Sequence, residues 1–247
     1  MTIMKEEPVV FESKGKNCFG VFHWSKPKAP MIIMVHGFTG TKLGSSAGLF
    51  VNVANELTKK GFNVFRYDSR GSGDSKGIFE DQNLTTCIED FKAAIDFVSK
   101  KTKSPIGAIG HSRGGEVVII QASKDKRIKC ISCWSTAGVG TWKLELDELG
   151  QEDFYYWKGF KITKKNVMDM MSYDPVEYVR KVKVPILFIH GTKDDAVDPI
   201  YSKDLYEAAI SIKEFSLIEG ADHIFFRAED QKILTDLNVR WFKKHLS

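Results

Sequence analysis

The chain has 247 residues and a formal charge of +4, with 36 Lys and Arg against 32 Asp and Glu. The basic residues lie in small scattered groups such as Lys100-Lys101 and Lys164-Lys165, a solvated-surface pattern that argues against nucleic-acid binding. A hydrophobic content of 43% with 28% charged residues excludes disorder, and no apolar run is long enough for stable membrane insertion. The length fits one α/β domain carrying an insertion. Glu6 and Glu7 fall where a secretory signal would need an apolar core, so a cytoplasmic protein is expected. Cys18, Cys87, Cys130 and Cys133 lack a framework spacing and are expected as free thiols. Cys130-Ile-Ser-Cys133 sits inside an apolar run with no second pair elsewhere, which favours buried thiols over a zinc site or redox pair.

In chain order, Val9 to Glu12 and Cys18 to Trp24 read as an antiparallel pair joined through Gly15 at a sheet edge. Met31-Ile-Ile-Met-Val35 is a continuous apolar run, the mark of a strand buried on both faces, and leads into His36-Gly-Phe-Thr-Gly40. Ser45 or Ser46 is the expected cap of a helix carrying Leu49, Val53, Ala54 and Leu57 at helical spacing, stopped at Gly61. Phe62 to Tyr67 is a strand, followed by the turn-rich loop Asp68-Ser-Arg-Gly-Ser-Gly-Asp-Ser75. Thr86 and Glu89 are spaced as a capping box for a helix whose stripe is Leu84, Ile88, Phe91, Ile95 and Val98, ending in Lys100, Lys101 and Lys103.

Pro105 restarts the chain into a strand that meets Gly110-His-Ser-Arg-Gly114, and Ile128 to Trp134 supplies another strand. From Ser135 to about Val184 the alternation breaks. Gly138, Gly140, Gly150 and Gly159 interrupt a stretch dense in aromatics: Trp142, Phe154, Tyr155, Tyr156, Trp157 and Phe160. A connection this long is expected to be an inserted cap over residues 135–184, with the core formed by 1–134 and 185–247. Val184 to Ile189 is a strand, Ser202 to Ile210 a helix and Phe215 to Ile218 the last strand. Lys232 to His245 closes as an amphipathic helix with Ile233, Leu237 and Trp241 on one face. Such alternation implies a mostly parallel central sheet covered by helices on both faces.

A serine between Gly110 and Gly114 fits a strand-to-helix turn tight enough that a side chain at either glycine would collide with backbone. That turn lifts Ser112 Oγ clear of the sheet and aims the first helical N–H groups at the same point, where acyl transfer develops negative charge. By itself the pattern is equally a Gly-rich turn with a passive serine. In an open parallel sheet, however, reactive groups gather at the carboxyl ends of strands, and two more polar groups follow apolar runs there. Asp194 follows Ile186 to Ile189 through His190-Gly-Thr-Lys, and His223 follows the last strand through Glu219-Gly-Ala-Asp222. Ser, acid, His is the chain order of a nucleophile-elbow hydrolase.

His23 lies in the opening hairpin, His245 at the C-terminus, and His36, His111 and His190 flank strand ends, where loop packing or hydrogen bonding is the expected job. His223 alone sits in a late polar loop able to fold back over Ser112, as general base and then acid. Asp194, Asp195 and Asp198 share one loop; spacing from His190-Gly191 favours Asp194 as the acid that orients His223. Asp222, adjacent to His223, is expected in a turn. The oxyanion hole is expected from the backbone N–H groups of Arg113, just after the serine, and Phe38, in the loop ending an earlier buried strand.

Taken together, Met31 to Gly40 with His-Gly-Phe, Asp68 to Ser75, Gly110 to Gly114, His190 to Asp194 with Val197, and Gly220-Ala-Asp-His223 resemble the serine α/β-hydrolase superfamily over nearly the whole chain. Within it the chain most resembles small prokaryotic cinnamoyl and feruloyl esterase-like carboxylesterases, neighbours of monoacylglycerol lipases and serine aminopeptidases. The resemblance implies an α/β-hydrolase fold with a cap insertion and the acid, histidine and oxyanion donors assigned above. One departure is Asp198, where many relatives carry Pro or Ser.

The expected activity is hydrolysis of carboxylic esters, short-chain acyl and hydroxycinnamoyl among them, with a small-molecule ester as partner; a homodimer stays open. Aminopeptidase-like, acyltransferase or monoacylglycerol lipase activity on the same triad is the alternative, and a ligand-binding receptor on the same fold is disfavoured by the intact triad. A dehalogenase or epoxide hydrolase would want a carboxylate at Ser112. With no His-Glu-x-x-His motif and no dinucleotide fingerprint, neither metal nor cofactor is expected.

Overall fold

The computed structural model describes residues 5–44, 48–138, 149 and 152–246. Strands β1 (Lys5–Ser13) and β2 (Lys16–Trp24) form the opening antiparallel hairpin, and its turn places Lys14 and Gly15 at positive φ (48° and 72°). Then follow β3 (Met31–Val35), β4 (Asn63–Tyr67), β5 (Ile106–His111), β6 (Ile128–Trp134), β7 (Phe154–Trp157), β8 (Phe160–Thr163), β9 (Ile186–Gly191) and β10 (Lys213–Ile218). Eight of them make one sheet in the order β1-β2-β4-β3-β5-β6-β9-β10, parallel from β4 onward, with β2 antiparallel to β4. The opening hairpin therefore forms one edge, as expected.

Helices α1 (Leu49–Lys59), α2 (Leu84–Lys101), α3 (Arg113–Ala122), α4 (Lys164–Met171), α5 (Pro175–Val179), α6 (Pro199–Ala208) and α7 (Ala228–His245) cover the sheet. The strands show why both faces are covered. Met31, Ile33 and Val35 of β3 pack into the core beneath α2 and α3, while Ile32 and Met34 pack into the core beneath α1 and α7. Alternate side chains of one strand are thus buried on opposite faces, which an unbroken apolar run allows.

Several local expectations are corrected. The capping box of α2 is built by Asn83 and Thr86, not by Thr86 and Glu89: Asn83 Oδ1 accepts from the Thr86 N–H at 2.8 Å, and Thr86 Oγ1 accepts from the Asn83 N–H at 2.9 Å. Glu89 instead pairs with Arg70 (2.8 Å) and Lys14 (3.1 Å). Ser45 and Ser46 lie outside the described residues, and the residue before α1 is Gly48, which gives no side-chain cap.

Helix α6 starts earlier than expected, because the Asp198 carboxylate accepts from the Ile200 N–H (2.9 Å) and Pro199 fits the first turn. On α7 the buried face is Leu234, Asn238, Trp241 and Phe242, while Ile233 is exposed. A polar residue, Asn238, interrupts the apolar pattern there; it is buried because its Oδ1 accepts from Trp134 Nε1 at 3.3 Å and its amide donates to the Leu234 carbonyl at 2.7 Å.

Between β6 and β9 the described residues form the β7–β8 hairpin, α4 and α5. Trp142, Gly140 and Gly150 lie outside the described residues. Ile162, Val167, Met170 and Val179 join the same core as α2 and α3, with Tyr155, Trp157 and Phe160 packed against it. Thr85 at the start of α2 donates to Asp169 of α4 through its N–H (3.0 Å) and Oγ1 (2.6 Å), which pins this stretch to the sheet domain.

Asn83→Ala removes the side-chain half of the α2 cap and is expected to cost about 1 kcal/mol. The measurement is urea unfolding, with a lower midpoint at unchanged slope expected and an unchanged midpoint counting against the cap.

Candidate active site

The elbow is built from close backbone approaches. A Cβ on Gly110 would lie 2.2 Å from the Gly114 carbonyl oxygen, and one on Gly114 would lie 2.1 Å from that of Val35. Only glycine fits at either place. Between them Ser112 is held at φ 55°, a conformation that non-glycine residues rarely adopt and that the surrounding structure must enforce. The Ser112 N–H donates to the Trp134 carbonyl of β6 (2.8 Å), and its own carbonyl accepts from Gly115 (2.8 Å) as α3 begins. Arg113 is the first residue of α3, so its N–H is one of the helix's unpaired first-turn donors.

Of the three aspartates in the β9–α6 loop, the structure brings Asp194 to His223. His223 Nδ1 lies 2.8 Å from Asp194 Oδ2, and the Asp194 side chain is completely buried. Asp195 is exposed, and Asp198 caps α6. Burial opposes ionisation of Asp194, but hydrogen bonds from His190 and His223 outweigh it and hold the carboxyl far below the ordinary carboxylate range. Asp222 sits in a turn, as expected: its Oδ1 accepts from the Phe226 N–H at 2.9 Å.

The residue that ties His223 to the elbow is His111, immediately before the serine. Its Nε2–H donates to the His223 carbonyl at 2.8 Å, and the two rings lie 4.9 Å apart. Burial, then the neighbouring His223, depress His111 to about 3, so it stays neutral.

On the other side of Ser112, a Cβ on Gly37 would lie 2.9 Å from Ser112 Cβ, so the loop after β3 presses directly on Ser112. The Gly37 carbonyl accepts from His36 Nδ1–H (2.9 Å) and from the Gly40 N–H (3.2 Å), and the Ser69 N–H donates to His36 Nε2 (3.0 Å). Those partners assign the His36 tautomer. In a trans peptide the carbonyl and the following N–H point oppositely, so fixing the Gly37 carbonyl also fixes the direction of the Phe38 N–H. Burial lowers His36 to about 4, which keeps Nε2 available as an acceptor.

The Arg113 and Phe38 side chains, whose roles the sequence leaves open, meet each other. The buried guanidinium lies 4.8 Å from the Phe38 ring centre and donates through Nη2 to Gln82. Phe38 in turn faces Phe79 (5.6 Å) and Trp157 of β7 (5.9 Å), and Phe79 faces Phe160 of β8 (4.5 Å). Gln82 went unnoticed in the sequence, because it has no local pattern that separates it from ordinary polar surface.

All four cysteines are buried free thiols, and burial raises each of them, Cys18 to about 12. Among the described residues no group of three or more His, Cys, Asp or Glu could hold a metal ion, and no helix is long and apolar enough to cross a membrane.

Residues 26–176 match the Hydrolase_4 family, described as serine aminopeptidase, S33. The chain belongs to this family. The match takes in the Phe38 loop and the Ser112 elbow and ends before Asp194 and His223. An uncharacterized 31.7 kDa protein from the traX-finO intergenic region of Escherichia coli is 29% identical, covering 89% of this chain and 92% of its own. Human protein ABHD12B is 27% identical over 80% of this chain and 55% of its own length. Among solved structures, Est1E from Butyrivibrio proteoclasticus with ferulic acid bound superposes with a TM-score of 0.84 at 24% identity, over 96% of this chain and 98% of that one. The esterase domain of a Rhodothermus marinus protein gives 0.78 at 22%, over 99% and 100%. These likenesses show the α/β-hydrolase fold.

Three imidazoles of this α/β hydrolase are buried and neutral: His36 and His23 near 4, and His111 near 3, against an ordinary 6.5. Below pH 6.5 the unfolded chain binds more protons at these sites than the folded one, so their contribution is complete above 6.5 and is lost as pH falls toward 4. Each costs about 1.4 kcal/mol per pH unit in that window. Urea midpoints measured from pH 7 to 4.5 are expected to fall, and less steeply in His111→Gln. A flat wild-type profile would contradict the buried neutral state.

Proposed function

We propose that this chain is a serine hydrolase of carboxylic esters, acting through Ser112, His223 and Asp194 with the Phe38 and Arg113 N–H groups as oxyanion donors. The observation that carries the reading is the 2.8 Å contact of the buried, ionised Asp194 with His223, whose loop is latched to His111, the residue before Ser112.

In this reading His223 Nε2 takes the Ser112 proton as Oγ attacks the ester carbonyl, and the carbonyl oxygen gains its charge between the two N–H donors. Collapse breaks the ester C–O bond, with His223 returning the proton to the leaving alcohol and an acyl-Ser112 left behind. Water then repeats the sequence, its proton passing to His223 and back to Ser112 as the acid leaves. Asp194 keeps His223 in the tautomer with Nδ1 protonated and stabilises its imidazolium without taking the proton.

The apolar cluster of Phe38, Phe79, Trp157 and Phe160 beside this loop favours acyl or aryl groups of small to medium size, hydroxycinnamoyl esters among them, over long-chain triglycerides. Residues 135–184 serve in this reading as the cap over the site.

The family description favours a second reading, aminopeptidase-like hydrolysis, which needs a cap carboxylate for the substrate amine. Glu145, Asp147 and Glu148 lie outside the described residues. Asp153, with the exposed Glu152 next to it, lines a cleft of about 620 Å³ in which Glu80, Asp81 and Asp153 face Lys161, Lys164 and Lys165, so the lining offers an incoming ammonium no net attraction.

Ser112→Ala is expected to keep the fold and lower turnover by something on the order of 10⁶, with fluorophosphonate labelling lost. Asp194→Asn is expected to cost roughly 10⁴, and Asp195→Asn and Asp198→Asn little. The panel for these variants is aryl esters of increasing acyl length, hydroxycinnamate methyl esters, monoacylglycerols and aminoacyl anilides. Preference for the anilides over every ester would defeat the esterase reading; unimpaired turnover by Ser112→Ala would defeat the mechanism.

A further inference from the structure

Asp194 has more partners than orienting one histidine requires. Its Oδ1 accepts from the N–H groups of Ala196 (3.0 Å) and Val197 (2.8 Å). Its Oδ2, already 2.8 Å from His223 Nδ1, also lies 3.0 Å from Nε2 of a second imidazole, His190. His190 ends β9 and is fully buried, as is Ser202 on α6. His190 Nδ1 lies 2.7 Å from Ser202 Oγ, and Nε2 lies 2.9 Å from the Val197 carbonyl. A carbonyl can only accept, so Nε2 carries the proton, and Nδ1 accepts the Ser202 hydroxyl. The Val197 carbonyl and the Asp194 carboxylate thus hold the Nε2–H of His190 between them, and Ser202 holds the ring from Nδ1.

We propose that His190, set by Ser202, is a positioning residue that fixes the carboxylate plane of Asp194 and limits the charge its Oδ2 presents to His223. This rests on the reading of Asp194 and His223 as the acid and base acting on Ser112. Two consequences follow from the geometry. With both oxygens engaged by fixed donors, the carboxylate cannot rotate away from His223 Nδ1, so orientation is already established before the imidazolium forms. The His190 N–H also competes for the oxygen that would otherwise stabilise the His223 imidazolium alone. His111 lies beside the His223 ring and stays neutral, and the Asp222 carboxylate is held by the Phe226 N–H.

The test measures the rate of fluorophosphonate labelling of Ser112 against pH, which reads the triad whatever the ester, in the full chain and in His190→Leu, His190→Gln and Ser202→Ala. His190→Leu removes the donor, while His190→Gln returns an amide N–H close to the Nε2 position. The expected result for His190→Leu is a maximal rate about tenfold lower, the worth of one charge-assisted hydrogen bond, with unchanged saturation concentration. Its acid limb is expected to move to higher pH by about half a unit, because an unshared Oδ2 holds the His223 proton longer. His190→Gln is expected to restore both rate and limb, and Ser202→Ala to shift them in the direction of His190→Leu by a smaller amount.

A packing role alone would lower the folded fraction without moving the limb. Should His190→Leu fail to fold, Ser202→Ala and His190→Gln decide the matter: an unmoved limb in Ser202→Ala, or a His190→Gln rate tenfold down, overturns the proposal. Wild-type labelling at Ser112 with unchanged rate and limb in all the variants overturns it while leaving the esterase reading intact. Absence of Ser112 labelling in the wild type overturns both.

Discussion

Gly114 against the Val35 carbonyl and Gly110 against the Gly114 carbonyl are backbone contacts too close for any side chain, and the geometry of the site depends on them. They bring the start of α3 onto the carboxyl ends of β3 and β5 and leave Ser112 at a positive φ. Such strain persists only when the surroundings over-determine it. Here β5 is paired on both sides, by β3 and β6, and every residue of α3 is buried. The same strand that presses on Gly114 leads directly into His36 and Gly37, so one contact sets Ser112 and the Phe38 loop relative to each other.

Around that elbow, burial sorts the polar groups by charge. An imidazole without a strong anionic partner is cheaper to bury neutral, and His36 and His111 are both pushed well below their ordinary range. Neutrality lets each act as a hydrogen-bonding strut: His36 on the Gly37 carbonyl, His111 on the His223 carbonyl. Asp194 goes the opposite way. Two backbone N–H groups and two imidazoles outweigh its desolvation, and a carboxylate stays charged in the interior.

The stretch between β6 and β9 is continuous with this arrangement. Trp157 lies against Phe38, which also meets the Arg113 guanidinium, so the two residues following the close-packed turns are linked through their side chains to the β7–β8 hairpin. Gln82 anchors Arg113 from the loop before α2, and Asn166 of α4 donates to the carbonyls of Glu80 and Gln82 (2.9 Å each). Ile162, Val167 and Met170 share the core of α2 and α3, and Tyr155, Trp157 and Phe160 pack onto that same core.

The sequence by itself determined the α/β alternation, the elbow glycines, the chain order of Ser112, Asp194 and His223, and the buried state of Met31 to Val35. Those features are local: periodicity, turn chemistry and unbroken apolar runs act over a few residues. Choosing Asp194 over Asp198 was within reach of spacing, but the reason lay in space, since Asp198 is consumed by the α6 cap while Asp194 turns inward to two histidines. The capping box of α2 was placed three residues too late because Thr86 and Glu89 satisfy the local rule, and only the fold draws Glu89 away to Arg70 and Lys14. The buried face of α7 was misread because Asn238 looks polar until Trp134 and the Leu234 carbonyl satisfy it. The contacts of His111, His190 and Ser202 belong to tertiary structure alone, because neither the distant meeting of His111 with His223 nor the loop path that folds Asp194 and Ser202 onto His190 leaves a trace in composition or periodicity.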